Sequence, residues 1–426
     1  MKSILFRLAY ACLFLITIFS CNNDADAPQA TIHFTVNSTY EKYWIVLSNP
    51  SGKVLTWKAM TNTVTETFTY TATERIMLTV VSKSNANDFT MIKSYADIKP
   101  GDYSIDVTSV LNSGTQGKFT VNITNPDNFL YVFPQSEGSC GSGDSFADPS
   151  RIDLTLCDDN TNLFIPCTSR MDDGTPRYLY KDNINKNGSI TIDNNLFEQL
   201  PAMKTKTVTF DEPIISGFSI IDGRTIKKKQ TFLIPAFFIS HSNITQLKIY
   251  YPDLIGTLFS SYVTTIGFSR EKNVQNYITK ESIEPPTSYP GLDVNFNFAD
   301  SSKITTESIS ASVSGKTDYI FIAFNYFDAN RSGWWFVNAP FANDLSIRLP
   351  VFPDNLKAAA ELEIISKMKP TQISFIENKG LGGYEGFYPL DLSLKTQTIP
   401  HDRRSKVYEL QPNGVTYGRT ASPWKP

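Results

Sequence analysis

Histidine is nearly missing from this chain: three in 426 residues, His33, His241 and His401, set far apart. No HExxH or G-x-S-x-G stretch accompanies them, which removes helix-borne zinc sites and the nucleophile elbow of α/β-hydrolases. Cysteine is scarce too. Its five residues show no CxxC spacing and no histidine lies near Cys140, Cys157 or Cys167, so a zinc site lacks a ligand set. There is no excess of basic charge, 39 Lys and Arg standing against 42 Asp and Glu. No field exists to hold nucleic acid, and no such partner is expected. Phosphate loops fail as well. Ser310 stands where the first glycine ahead of Gly315-Lys316-Thr317 belongs, and Asp318 to Phe324 reads as a strand rather than a helix. In Gly380-Leu381-Gly382-Gly383 the third glycine of a dinucleotide fingerprint is replaced by Glu385, so these glycines read as turn formers.

Long apolar runs are also lacking. The one candidate, Leu8 to Phe19, is interrupted by Thr17 and at about 12 residues falls short of the roughly 20 that span a bilayer. It is preceded by Lys2 and Arg7, no acid occurs before Asp24, and Ser20 precedes Cys21. This is the three-part order of a secretory leader, residues 1–20. The ending Ile18-Phe19-Ser20-Cys21 resembles the lipobox of bacterial lipoproteins, with Phe19 where a smaller residue is usual. The resemblance implies cleavage before Cys21 and lipidation of Cys21, which anchors a protein to a membrane without spanning it. An ordinary leader with an incidental cysteine is the alternative. Residues 21–30 are small, acidic and proline-containing and read as a tether. The acidic run after Cys21 resembles export signals that send some lipoproteins to the outer face of the outer membrane; a plain solvated linker fits equally. The expected location is therefore outside the cytoplasm, lipid-anchored to the outer membrane and facing the exterior.

With 41% apolar and 13% aromatic residues the body is too rich to be disordered, and its Thr, Ser, Asn, Tyr, Phe, Val and Ile favour strands. The expected class is all-β. From 31 to 133 apolar and polar residues alternate in short segments, as in Phe68 and Tyr70, Tyr103 to Val107, and Phe119 to Ile123. Turn signals at Asn49-Pro50-Ser51-Gly52, Lys99-Pro100-Gly101 and Asn112-Ser113-Gly114 punctuate them. That rhythm predicts an immunoglobulin-like sandwich. Gly- and Ser-rich 134–150 reads as a linker, 151–400 as a larger β-sandwich region of one or two domains, and 401–426 as a tail. Asp222-Gly223 reads as a type I′ hairpin turn. Asp354 to Lys369 carries both helical and strand signals.

Four sets of residues are candidates for chemistry. Cys21 is the lipidation site. Among Cys140, Cys157 and Cys167 the odd count permits one disulfide, and Cys157 with Cys167 would close the shortest loop; three unpaired buried cysteines are the alternative. Asn183-Ile184-Asn185-Lys186-Asn187-Gly188-Ser189-Ile190 has oxygen-bearing side chains at alternate positions and glycine sixth, and resembles a calcium loop of the EF-hand or dockerin type, with Asp182 and Asp193 adding charge. Asn183 replaces the first aspartate and Asn194 the closing carboxylate, so an Asn/Gly turn between strands is the other reading. No other cofactor is indicated. In Asn330-Arg331-Ser332-Gly333-Trp334-Trp335-Phe336 neighbouring tryptophans must point to opposite faces of a strand. One of them exposed would stack on a sugar ring while Asn330 and Arg331 take hydroxyls; both buried is the alternative.

Leader, tether, spacer and aromatic-bearing β domain together resemble, in layout alone, the surface glycan-binding lipoproteins of polysaccharide-uptake systems. The resemblance implies capture of polysaccharide without catalysis. An adhesin or envelope structural lipoprotein binding a protein partner, such as an outer-membrane protein, is the main rival. A hydrolase whose site is not visible in sequence is the third reading.

Overall fold

The computed structural model describes residues 29–36, 41–60, 64–70, 75–84, 88–107, 116–125, 129–137, 150–169, 175–227, 231–239, 243–328, 331–393 and 401–410. The Met1 to Cys21 leader and the tether up to Pro28 lie outside them. The described chain is all-β, as its composition implies. Among the described residues no helix is long and apolar enough to cross a membrane.

Alternation becomes layering. In the strand Asp102–Val107, Tyr103 and Ile105 are buried while Asp102 and Ser104 face solvent. The strand Gln29–Val36 pairs antiparallel with Val64–Thr69 and parallel with Asp102–Val107. Facing this sheet across Ile32, Phe34, Ile45, Leu47, Leu78 and Tyr95 stand the strands Val54–Met60, Glu41–Ser48, Ile76–Ser84 and Phe89–Ile98. These seven strands form the N-terminal sandwich. Its Asn49 turn is held by the Asn49 carboxamide, whose Oδ1 accepts from the Ser51 and Lys53 N–H groups, and by Gly52 at φ 82°.

The sandwich does not stand alone. Phe89–Ile98 takes Ser332–Pro340 as a parallel neighbour, in register from Phe89 opposite Ser332 to Tyr95 opposite Asn338. The sheet then continues through Tyr319–Phe327, Lys369–Asn378, Arg403–Glu409, Val274–Ser282, Phe259–Glu271, Ser216–Thr225 and Thr231–Ile239, twelve strands in one order. Its other face carries the largest core, with Ile322, Phe324, Trp335 and Phe375 covered by the small sheet Val294–Phe296, Ser308–Gly315 and Asp344–Arg348 and by the helix Asp354–Ala360. At the far end the pair Lys204–Ile214 and Ile244–Tyr251 covers Ile221, Phe259 and Tyr262.

Several sequence expectations are corrected here. The strand Gly117–Thr124 leaves the N-terminal sandwich. It pairs with Arg151–Leu156 and Ser189–Asp193 in a second sandwich, opposite Thr161–Ser169 and Arg177–Ile184. The partition at 134–150 is thus not the one the strands follow: alternation marks a half-buried strand without naming its sheet. Residues 401–426 are not all tail, since Arg403–Glu409 lies inside the main sheet between Val274–Ser282 and Lys369–Asn378. Its charges hid it: Arg404 forks onto Glu377, with its Nη2 2.6 Å from Oε2, and Lys406 reaches Asn295. Asp222-Gly223 is no turn. Both residues sit within Ser216–Thr225 opposite Leu233 and Phe232, and Gly223 lacks a side chain because the Phe259 ring occupies that space. The ambiguous 354–369 segment is helical to Ala360, breaks at Glu361 (φ 51°), and continues as a 3-10 turn, Leu362–Lys367, before Lys369–Asn378 begins. The glycines at 380, 382 and 383 all take positive φ and form the turn into the helix Tyr384–Leu392.

Candidate functional site

The Trp334-Trp335 pair lies in Ser332–Pro340, and the pleat separates the two rings. Trp335 is fully buried, packs on Phe324 and Phe352, and donates its indole N–H to Ser94 Oγ at 2.9 Å. Its expected share in ligand contact is therefore corrected: both its ring and its donor are used inside the core. Trp334 is half-buried on the opposite face. It stacks on Phe336 (centroids 5.6 Å apart, planes 26°) and meets Phe327 edge-on (5.6 Å, 80°). Phe336 in turn stacks on Phe321 at 5.4 Å. Ala323 lies opposite Phe336, and its small side chain leaves room for that interleaving. The result is a row of four rings from Phe321, 6% exposed, to Phe327, 42% exposed.

Directly across from Trp334 is Asn325. It is 7% exposed, and its Nδ2 has no hydrogen-bond partner. A buried donor left unpaired costs about 1–3 kcal/mol, so its retention next to an aromatic edge calls for an explanation. Sequence reasoning missed Asn325, since nothing in a Phe-Asn-Tyr strand distinguishes a satisfied amide from an unsatisfied one. On the other side of Trp334 lies half-buried Met91. One row further, Lys93 faces the end of the helix Tyr384–Leu392, its Nζ 3.5 Å from Asp391 Oδ2, while the Tyr95 hydroxyl donates to the same oxygen at 2.5 Å. Burial first, then the Asp391 charge, holds the Tyr95 phenol well above its ordinary range, so it stays a donor.

Arg331 sits beside the exposed end of the row but is already engaged. Its Nε lies 3.1 Å from Asp88 Oδ2, and its backbone N–H donates to Asp328 Oδ1 at 2.7 Å. Asp88 also meets Lys83 at 3.4 Å. This fixed, mixed-charge rim positions Arg331 without fully burying it. Asn330 lies outside the described residues.

The other candidates fare as follows. Cys157 is disulfide-bonded, but not to Cys167, which is a free thiol; Cys21 and Cys140 lie outside the described residues. The expected Cys157–Cys167 bridge is corrected because Cys167 shares the inward face of Thr161–Ser169 with Leu163 and Ile165, where burial pushes its thiol up to about 12. Within the 183–190 stretch residues 185–188 turn from Arg177–Ile184 into Ser189–Asp193, with Asn183 and Asn187 at φ 52° and 61°. Asn185 Oδ1 accepts from the Asn160 N–H at 2.9 Å, Asp193 Oδ1 from the Asn195 N–H at 3.0 Å, and Asp182 Oδ2 from Asn183 Nδ2 at 3.3 Å. These oxygens serve three separate local bonds instead of converging on one point. Among the described residues no group of three or more His, Cys, Asp or Glu is placed to hold a metal. Gly188 is explained by packing, since a Cβ there would press on the Phe119 ring at 3.1 Å.

No family model matches the chain, and no curated protein matches it. Among solved structures it is similar to a tetra-tandem repeat in the extending region of a large adhesion protein, at 7% identity over 90% of this chain and 100% of that one. The TM-score is 0.12, too low for any inference about fold or function.

Proposed function

We propose that this chain is an exported, lipid-anchored surface protein that captures glycans without catalysis at the Asn325–Trp334 edge of its main sheet. The observation that supports this most is the unpaired Asn325 Nδ2 beside a half-buried tryptophan. A sugar offers both complements at once. Its C–H face packs on an indole, and a ring hydroxyl accepts from the amide. Phe327 extends the apolar surface outward, and Arg331, held by Asp88, supplies a fixed donor at the rim. The anchoring half of the proposal rests on Lys2, Arg7, the apolar run and Ser20-Cys21.

Affinity electrophoresis through a panel of polysaccharides tests the binding. Retardation on at least one glycan is expected, lost in Trp334→Ala and weakened in Asn325→Ala. No retardation on any glycan, or retardation unchanged by Trp334→Ala, overturns the proposal. Metabolic labelling with a palmitate analogue tests the anchor: label is expected in the intact chain and absent from Cys21→Ala.

A further inference from the structure

A second concave surface lies on the other side of the main sheet, where the small sheet Val294–Phe296, Ser308–Gly315 and Asp344–Arg348 turns its polar face outward. Its cleft has a volume of about 460 Å³. Asn295, Asn297, Ser312, Ser314 and Asp344 line it. The pleat produces this separation. Val294, Phe296, Ala311, Val313 and Leu345 point into the core, so the residues between them must line the outside.

The local bonds decide which atoms face the cleft. Asn295 Oδ1 accepts from Lys406 Nζ at 3.2 Å, and Asn297 Oδ1 accepts from the Ala299 N–H at 3.1 Å. Each carboxamide oxygen holds a local bond, which orients the NH₂ as the donor to offer. Asp344 supplies the complementary acceptor, and the two serine hydroxyls serve either role. Donors on one wall and a carboxylate on the other match neighbouring hydroxyls of a sugar, each of which donates to the carboxylate and accepts from an amide. The Asp344 carboxylate disfavours an anionic group against its own wall.

The register sets the span. Asn295 pairs with Ser314 and Asp344 with Ser312, on opposite sides of the central strand and two residues apart. Standard strand spacing and rise place their Cα atoms about 12 Å from each other, a span that takes more than one pyranose ring.

We infer that this cleft is a second carbohydrate subsite, taking a neutral oligosaccharide between the Asn295 and Asn297 amides and the Asp344 carboxylate. The inference rests on the glycan reading of the Trp334 edge only in its choice of ligand class; the two surfaces share no residue. Hydrogen-exchange mass spectrometry of the full chain tests it, with soluble neutral oligosaccharides of the gluco-, xylo-, manno- and N-acetylglucosamine series at millimolar concentration. Expected is added protection over 294–297 and 312–315 with at least one series, reduced about tenfold in apparent affinity by Asp344→Asn or Asn295→Ala and kept in Trp334→Ala. Protection only over 321–337 overturns the cleft and leaves the Trp334 site standing. Protection only at the cleft overturns the Trp334 site instead, and protection at neither with any series overturns both. Asp344 and Asn295 are exposed, so both variants keep the core intact, and an unchanged melting temperature verifies that.

Discussion

Replacing Asp222 by asparagine should stabilise the protein in mildly alkaline buffer and leave it nearly unchanged in acid. Asp222 lies in the middle of Ser216–Thr225 with Leu233 and Val263 as cross-strand neighbours, and burial pushes its carboxyl up to about 7. In the unfolded chain the same group titrates near 3.9. Between those values the folded state holds more protons than the unfolded one, so stability falls as pH rises from about 4 to about 7. Three units correspond to a ceiling of about 4 kcal/mol, and because Asp222 keeps some contact with solvent, about 2 kcal/mol is the reasonable expectation. Asparagine has nearly the same shape and no charge at any pH, so the variant escapes the loss. Thermal melts of both proteins at pH 4 and pH 8 supply the comparison. At pH 8 the variant should melt about 4–8 °C higher, with the gap closing at pH 4. Taking the difference between the two proteins cancels His401, whose lowered pKa makes stability rise with pH through its own range, and Glu281, which titrates at lower pH. A gap of equal size at both values, or a variant less stable at pH 8, would refute the reasoning.

The tryptophan pair predicts an asymmetry in stability. Trp335→Phe opens space in the main core and removes the indole bond to Ser94, which keeps Thr79 as a partner, costing about 2 kcal/mol in denaturant titrations, whereas Trp334→Phe should cost under about 1 kcal/mol; equal losses would contradict the assignment of faces. Cys167 should resist iodoacetamide at pH 8 in the native protein and react once urea unfolds it, read from the mass of its peptide, because its buried thiol forms almost no thiolate. Native labelling as fast as that of a free cysteine would count against the buried placement. Asn185→Ala removes the carboxamide bond to Asn160 N and should lower stability by about 1 kcal/mol equally in calcium and in chelator. A destabilisation seen only with calcium would restore the ion-binding reading of this turn.

How much of this was legible in the sequence depends on range. Period-2 alternation is a local signal, and it located the strands around Tyr103 and Phe119. It also required Trp334 and Trp335 to part. Which sheet a strand joins is not local. Gly117–Thr124 alternates as cleanly as Asp102–Val107, yet it pairs with Arg151–Leu156, and nothing inside either segment records that choice. Phe259–Glu271 and Val274–Ser282, two long strands of the main sheet, pass unmarked for a related reason. Thr264 and Asn276 sit on inward positions, so the apolar stripe is broken where the fold is most continuous.

Gly223 and Asn325 show the limit most sharply. Asp222-Gly223 reads as a turn because glycine accepts positive φ, but Gly223 has no positive φ; what its missing Cβ provides is room for the Phe259 ring, 36 residues later in the chain. Phe218 over Gly267 repeats the device, so at these two positions glycine marks where an aromatic lies across the backbone rather than where the chain reverses. Asn325 differs from the satisfied amides only in lacking a partner, and a missing bond leaves no trace in composition or spacing. Candidate sites of this kind emerge only when the partners of every buried polar atom are followed in three dimensions. The aromatic row could be anticipated from Trp334 and Phe336, whereas the donor that would turn it from packing into recognition could not.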